Sequence, residues 1–215
     1  MTRTFFVWTL LLLTMTWAVG FIYPQGKADE ILKRSKAELE SLKDFGSDFV
    51  YELSGPGLNG TIAKKGSLKY QQGKYVIKMA DEAFYCDRNS LWIYLKEDNT
   101  VNILEYDPEE GMNIEAIFEL YEANSEARYE GTETVNGKTC HKIFLAIKDP
   151  DLDYNQAMLW INTKTNFPAK ATLTNRKQTQ TTFELRDFKP NVGFGNSTFQ
   201  FNPDQHPGVV VYDER

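Results

Sequence analysis

Asp44-Phe-Gly-Ser-Asp-Phe-Val-Tyr-Glu-Leu-Ser-Gly-Pro-Gly57 is the stretch on which the fold turns. Before it, Lys27 to Lys43 reads as an amphipathic helix. Ala28, Ile31, Leu32, Ser35, Leu39 and Leu42 recur at helical spacing on one face, with Lys, Arg and Glu elsewhere. Asp44-Phe45-Gly46 ends that pattern. From there the period becomes two: Phe49, Tyr51 and Leu53 alternate with Asp48, Val50 and Glu52, as in a strand with one buried face. Gly55-Pro56-Gly57 closes the strand with a turn.

Strand signals continue downstream. Ile62, Leu68 and Tyr70 share one face of the next strand, and Tyr75, Ile77 and Met79 one face of the strand after Gly73. Short strands follow at Phe84–Cys86, Leu91–Leu95 and Val101–Tyr106, with Asn or Asp between them, a run of hairpins and not a βαβ pattern. Asp107-Pro108 interrupts the series, and Asn113 can cap a short helix with the apolar stripe Ile114, Ile117, Phe118 and Tyr121. Strands resume at Ala127–Thr134, turn at Asn136-Gly137, and run on through Thr139–Ile147. Ala157–Asn162, Ala169–Thr174, Gln180–Phe188 and a short piece near Val209–Tyr212 complete the set. The expectation is one α+β, mostly β domain over residues 21–215, with about ten short antiparallel strands and two helices.

Two short helices are little cover for so many strands, and an antiparallel sheet must bury one face. The sheet is therefore expected to curl into an unclosed barrel, a half-barrel, with the helices on its concave face. Aromatic residues make up 13% of the chain, enough to line such a face. For any single aromatic, ordinary core packing is the competing reading. Where both faces of a strand are apolar, as at Leu91–Leu95 and Ala157–Ile161, a shift of one residue exchanges the two faces.

At the N-terminus, Arg3 precedes an apolar run from Phe5 to Leu13 that continues to Val19, and Ala18-Val19-Gly20 supplies small residues at a cleavage-site spacing. Residues 1–20 read as a removable secretory signal, with an uncleaved anchor as the alternative because Phe21, Ile22 and Tyr23 extend the run. No Cys follows it, so lipidation there is not expected, and the predicted mature protein is soluble and periplasmic. A net charge of -6 argues against nucleic-acid binding and against steady adhesion to an anionic membrane. Cys86 and Cys140 are the only cysteines. An oxidising compartment permits a bridge between them, and two small buried thiols are the other reading.

No catalytic constellation is evident. His141 and His206 have no metal-ligand spacing, and Cys140-His141 on a strand point to opposite faces. Gly-x-Ser-x-Gly, P-loop and dinucleotide fingerprints are absent. Asp149-Pro150-Asp151-Leu152-Asp153 lacks the glycine and terminal Glu of a calcium loop and reads as a solvated turn. The chain is expected not to be an enzyme and to need neither metal nor cofactor.

The order of elements resembles a known family. The signal and amphipathic helix are followed by Phe45-Gly-Ser-Asp-Phe49, Gly60-Thr61-Ile62, and the aromatic strand Leu91-Trp92-Ile93-Tyr94. A short helix comes after Asp107-Pro108, and the chain closes with Phe199-Gln-Phe201-Asn-Pro203 and Pro207-Gly208-Val209-Val210-Val211. Together these are similar to the periplasmic outer-membrane lipoprotein carriers (LolA-like proteins), over nearly all of the mature chain. Asp87-Arg88-Asn89-Ser90 stands where many members have an Asp-Gly turn, and no arginine near Leu58–Thr61 matches their lid latch.

The resemblance implies a hydrophobic cavity that shelters lipoprotein acyl chains between the inner and outer membranes. Its partners would be acylated lipoproteins, an inner-membrane ABC transporter that exports them and an outer-membrane acceptor, the carrier itself acting as a monomer. Acyl-chain contact would fall to Phe49, Tyr51, Leu53, Ile62, Leu68, Tyr70, Trp92 and Tyr94, with Leu32, Leu39, Ile117 and Phe118 forming the lid. An envelope lipid sensor or small-molecule binder on the same fold is the alternative, and an exported hydrolase a third.

Overall fold

The computed structural model describes residues 25–107 and 125–215. Helix α1 (Gln25–Glu40) leads into β1 (Phe45–Ser54), and β2 (Ile62–Gln71), β3 (Lys74–Met79), β4 (Glu82–Cys86), β5 (Ser90–Leu95) and β6 (Thr100–Glu105) follow as hairpins. The second series is β7 (Ser125–Val135), β8 (Lys138–Ile147), β9 (Tyr154–Asn162), β10 (Pro168–Asn175) and β11 (Gln180–Pro190). Two 3-10 turns, Asn196–Phe199 and Pro203–Gln205, then lead to β12 (Val210–Asp213).

The twelve strands among the described residues belong to one sheet in the order β12-β6-β5-β4-β3-β2-β1-β11-β10-β9-β8-β7. β7 and β12 are its two edges and are not bonded to each other, so the barrel stays open. The half-barrel with a helix on its inner face that the carrier resemblance implies is the fold observed. Two details differ. β12 lies parallel to β6, not antiparallel, because the chain crosses beneath the sheet after β11 instead of turning back along its neighbour. The helix expected after Asn113 lies outside the described residues.

The helical stripe is buried as its spacing predicts. Ala28, Ile31 and Leu32 pack with Tyr129, Ile143, Leu145, Ile147, Ala157, Leu159, Ile161, Ala171 and Leu173 of β7–β10. Leu39 and Leu42 join Phe45, Leu68, Tyr70, Tyr75, Ile77 and Cys86 of β1–β4. A helix of 16 residues is about 24 Å long, whereas the eight strands from β3 to β7 would span about 34 Å if flat. One helix serves both clusters because the sheet bends around it.

The opposite, outer face of β3–β6 is covered by the chain that follows β11. Phe199 and Phe201 are buried there against Val76, Ala83, Tyr85, Tyr94 and Val101. His206 stacks on Phe201 at 4.7 Å and on Tyr94 at 4.3 Å between centroids. The start of this strap is pinned by Asp44, whose buried carboxylate accepts from the backbone N–H of Gly193 and Phe194 at 3.0 to 3.1 Å.

Cys86 and Cys140 are both buried and free. They sit in the fourth and eleventh strands of the sheet and on opposite faces: Cys86 packs with the inner cluster, and Cys140 with Val135 and Trp160 beneath the outer face. The bridge weighed from the sequence is not formed, since a disulfide needs Cα atoms within about 7 Å.

Candidate ligand-binding face

Strand register decides which side chains share the face of α1. On β1 the inward row is Phe49, Tyr51 and Leu53. Phe49 lies opposite Leu185 and Gly66, Tyr51 opposite Phe183 and Lys64, and Leu53 opposite Thr181 and Ile62. Phe183 in turn pairs with Ala171 and Ala171 with Leu159, which packs on α1. Across β3 to β6 the inner face continues through Met79, Phe84, Leu91 and Ile93 to Leu104.

The residues of this face divide into two groups. Leu32, Leu39, Leu68 and Tyr70 are buried, and they serve to hold the helix on the sheet. Phe49, Tyr51 and Leu53 are only half-buried, as are Met79, Phe84, Leu91, Ile93, Phe183 and Leu185, while Ile62 is 49% exposed. The second group forms an apolar strip across β11, β1 and β2 to β5 that α1 leaves incompletely covered. Within it the Tyr51 and Phe183 rings meet at 5.2 Å and 59°. The ring of Phe49 lies down on Gly66, where a Cβ would fall 2.6 Å from its Cζ and 2.5 Å from the carbonyl oxygen of Lys78. Glycine at 66 lets an aromatic lie against the strand, so the strip stays open above it.

Of the residues predicted from sequence, Phe49, Tyr51, Leu53, Ile62, Leu68, Tyr70, Leu32 and Leu39 all lie on the inner face. Trp92 and Tyr94 do not, which corrects their assignment. Register pairs Leu91 with Cys86 and Ile93 with Phe84, so the inward row of β5 is Leu91, Ile93 and Leu95. Trp92 and Tyr94 point outward into the cluster under Phe199 and Phe201. Ile117 and Phe118 lie outside the described residues. Sequence reasoning passed over Met79 and Phe84 as ligand contacts and missed Phe183 and Leu185. Their alternation was visible, but only their cross-strand partners assign them to this face.

One ionic group interrupts the apolar strip. Lys64, opposite Tyr51, donates from Nζ to Glu82 Oε1 at 2.9 Å and to Asp81 Oδ2 at 3.1 Å. Hydrogen bonds donated to those carboxylates hold the Lys64 ammonium above its ordinary value, Glu82 contributing most, and Lys64 holds Asp81 below the usual carboxylate range. At the other end of β4, burial raises the phenol of Tyr106 and the thiol of Cys86, leaving both neutral at physiological pH. Among the described residues no group of three His, Cys, Asp or Glu side chains is placed to hold a metal, and no helix is long and apolar enough to cross a membrane.

Residues 2–199 match the family described as sporulation protein YdcC-like. No curated protein matches the chain. Among solved structures it is similar to an uncharacterized conserved protein from Thermus thermophilus, at 12% identity, 87% of this chain and 99% of that one, and a TM-score of 0.56. It is also similar to LprF from Mycobacterium bovis, at 14% identity, coverage of 83% and 97%, and a TM-score of 0.53. The lipoprotein LppX of Mycobacterium tuberculosis follows at 14% identity, 78% and 98%, and a TM-score of 0.50. At such identities the likeness is one of fold.

Proposed function

The chain belongs to the sporulation protein YdcC-like family, and we propose that it binds the acyl chains of lipids or lipoproteins on the inner face of its half-barrel. The observation that carries this reading is the apolar strip of Phe49, Tyr51, Leu53, Ile62 and Phe183, left half-exposed on the face that carries the helix. Each acyl CH₂ removed from water is worth about 0.8 kcal/mol, so a strip of this kind favours extended hydrocarbon over a compact polar ligand.

In the finer form of the proposal the protein is exported behind its N-terminal signal and works outside the cytoplasmic membrane without catalysing a reaction. It accepts acylated lipoproteins released by an inner-membrane ABC exporter and yields them to an acceptor. No energy source is needed at the second step if the acceptor binds more tightly. A plain envelope lipid as ligand is the second reading, favoured by the partly exposed Lys64, Asp81 and Glu82 cluster beside the strip, which a polar head group can meet and acyl chains cannot.

The test is native mass spectrometry of the exported protein mixed with one purified triacylated lipoprotein, beside the same lipoprotein without acyl chains. A complex with the acylated form alone is the expected result. No complex with either form, in protein shown to be folded, refutes acyl binding of lipoproteins.

A further inference from the structure

Lys64 is the single charged side chain in the inward row of β2, which otherwise runs Ile62, Gly66, Leu68, Tyr70. It is not an end-of-strand charge that merely meets solvent. Apolar groups flank it on both sides of the row: Leu53 and Ile62 beyond it, Phe49 and Leu68 before it. Its partners come from across β3, Glu82 as the first inward residue of β4 and Asp81 from the turn before it. The same turn is held from its far side by Lys96, whose Nζ donates to the carbonyl oxygens of Met79 and Ala80. Two ammonium groups and two carboxylates thus meet beside an apolar strip. The side chains of Lys64, Asp81 and Glu82 are 24% to 51% exposed, so an incoming group can reach them.

The geometry points to Lys64, Asp81 and Glu82 as the anchor for the head group of a zwitterionic amphiphile, a phosphoethanolamine type of head, whose acyl chains lie on the apolar strip. This rests on the acyl-binding reading above. The charge balance selects the class. An anionic head alone would draw Lys64 away and leave two carboxylates facing each other. A cationic head alone would take the carboxylates and strand Lys64. An uncharged head would have no use for the ions. A head with an ammonium next to a phosphate exchanges partners with the cluster and leaves the charges matched, with phosphate on Lys64, ammonium on Asp81 and Glu82, and Lys96 in the same turn balancing the second carboxylate. A primary ammonium can donate hydrogen bonds to those carboxylates. A quaternary one cannot, so phosphoethanolamine is preferred over phosphocholine.

The experiment compares three short-chain, monomeric amphiphiles with identical acyl groups by titration calorimetry on the full chain produced by export: diacylglycerol, diacyl phosphocholine and diacyl phosphoethanolamine. The expected result is phosphoethanolamine tighter than diacylglycerol by about tenfold or more, with phosphocholine between them. In Lys64→Gln, and independently in Glu82→Gln, that ratio collapses to about twofold or less. Equal binding of all three by the unaltered protein overturns the head-group anchor and leaves acyl binding standing. A preference that persists in folded Lys64→Gln and Glu82→Gln overturns the assignment to these residues. No binding of any of the three overturns the acyl reading, and the anchor with it. Should either variant fail to fold, the ratio in the unaltered protein and in the other variant decides.

Discussion

Replacing Gly66 by alanine inserts one methyl group where there is no room for it. The added Cβ would lie 2.5 Å from the carbonyl oxygen of Lys78 and 2.6 Å from Cζ of Phe49. The first contact is with backbone held in the β2–β3 ladder and cannot be moved cheaply; the second is with a ring that can tilt away. Overpacking of this kind costs about 1–3 kcal/mol, offset by about 0.4–1 kcal/mol because alanine restricts the unfolded chain. A net loss of about 1–2 kcal/mol is expected, or roughly 2–8 °C in Tm for a chain of this size. Urea denaturation followed by tryptophan fluorescence measures it as a lower midpoint at unchanged slope. The Phe49→Ala background separates the two contacts. With the ring gone the Gly66→Ala penalty shrinks but does not vanish, because the Lys78 oxygen remains. A Gly66→Ala protein as stable as the parent, or the same penalty with and without the Phe49 ring, refutes the placement of that ring on the strand.

Four further outcomes follow from the same geometry. Ser35 is fully buried and its hydroxyl has no hydrogen-bond partner among the described residues, so Ser35→Ala should raise stability by about 1 kcal/mol; a loss in calorimetry would mean that the hydroxyl is engaged. Ile62 is 49% exposed, so Ile62→Asp should fold normally yet weaken acyl-ligand binding about tenfold, and unaltered affinity would remove Ile62 from the strip. Affinity for a series of saturated ligands should rise about fourfold per methylene until the strip is filled, and a flat dependence would indicate that the head alone is bound. Burial holds His141 and His206 below the ordinary imidazole value, so the unfolded chain takes up more protons between the two values and stability rises with pH there; the contribution is complete above about pH 6.5 and lost as acid protonates the folded form. His206→Phe, which keeps the stack on Phe201, should flatten the acid limb of a stability–pH curve, and an unchanged slope would free His206 of this role.

Periodicity made legible those parts of the fold in which a single face is covered. Ala28, Ile31, Leu32, Ser35 and Leu39 of the predicted stripe are buried, because one side of α1 meets the sheet and the other meets water, while Leu42, past the helix end at Glu40, is half-buried. β1 is equally clear: Asp48 and Glu52 mark its outer row and leave Phe49, Tyr51 and Leu53 for the inner one. β5 defeated the same method for a physical reason. Leu91, Ile93 and Leu95 face the helix side while Trp92 and Tyr94 meet Phe199 and Phe201, so both rows are apolar and alternation carries no sign. The Phe199-Gln-Phe201 motif was visible, but which face it would seal depends on the path of the strap, and that path is fixed by Asp44 gripping the amides of Gly193 and Phe194. Lys64 was equally visible as a charge on β2; only the register with Tyr51 shows that it points inward.

The two faces of the sheet are finished in different ways, and the difference determines where a ligand can be held. On the outer face of β3–β6, the strap fills the surface with its own phenylalanines. Over β7–β11 the outer face is closed by polar groups and cations on rings: Lys170 stands 4.7 Å from the centre of Trp160, Arg128 4.8 Å from that of Phe144, and Thr172 and Thr182 share a hydrogen bond of 2.9 Å. A hydrocarbon chain would displace those interactions without replacing them. On the inner face the helix packs on its own two clusters, and the groups beside it meet through apolar and ring contacts such as Tyr51 on Phe183. Grip there is a sum of many small, non-directional contacts, so it scales with the length of chain laid down and yields to any acceptor that covers more of that chain. Away from the Lys64 cluster such a surface holds in proportion to what it hides, and only the ionic contacts of that cluster have to break before release.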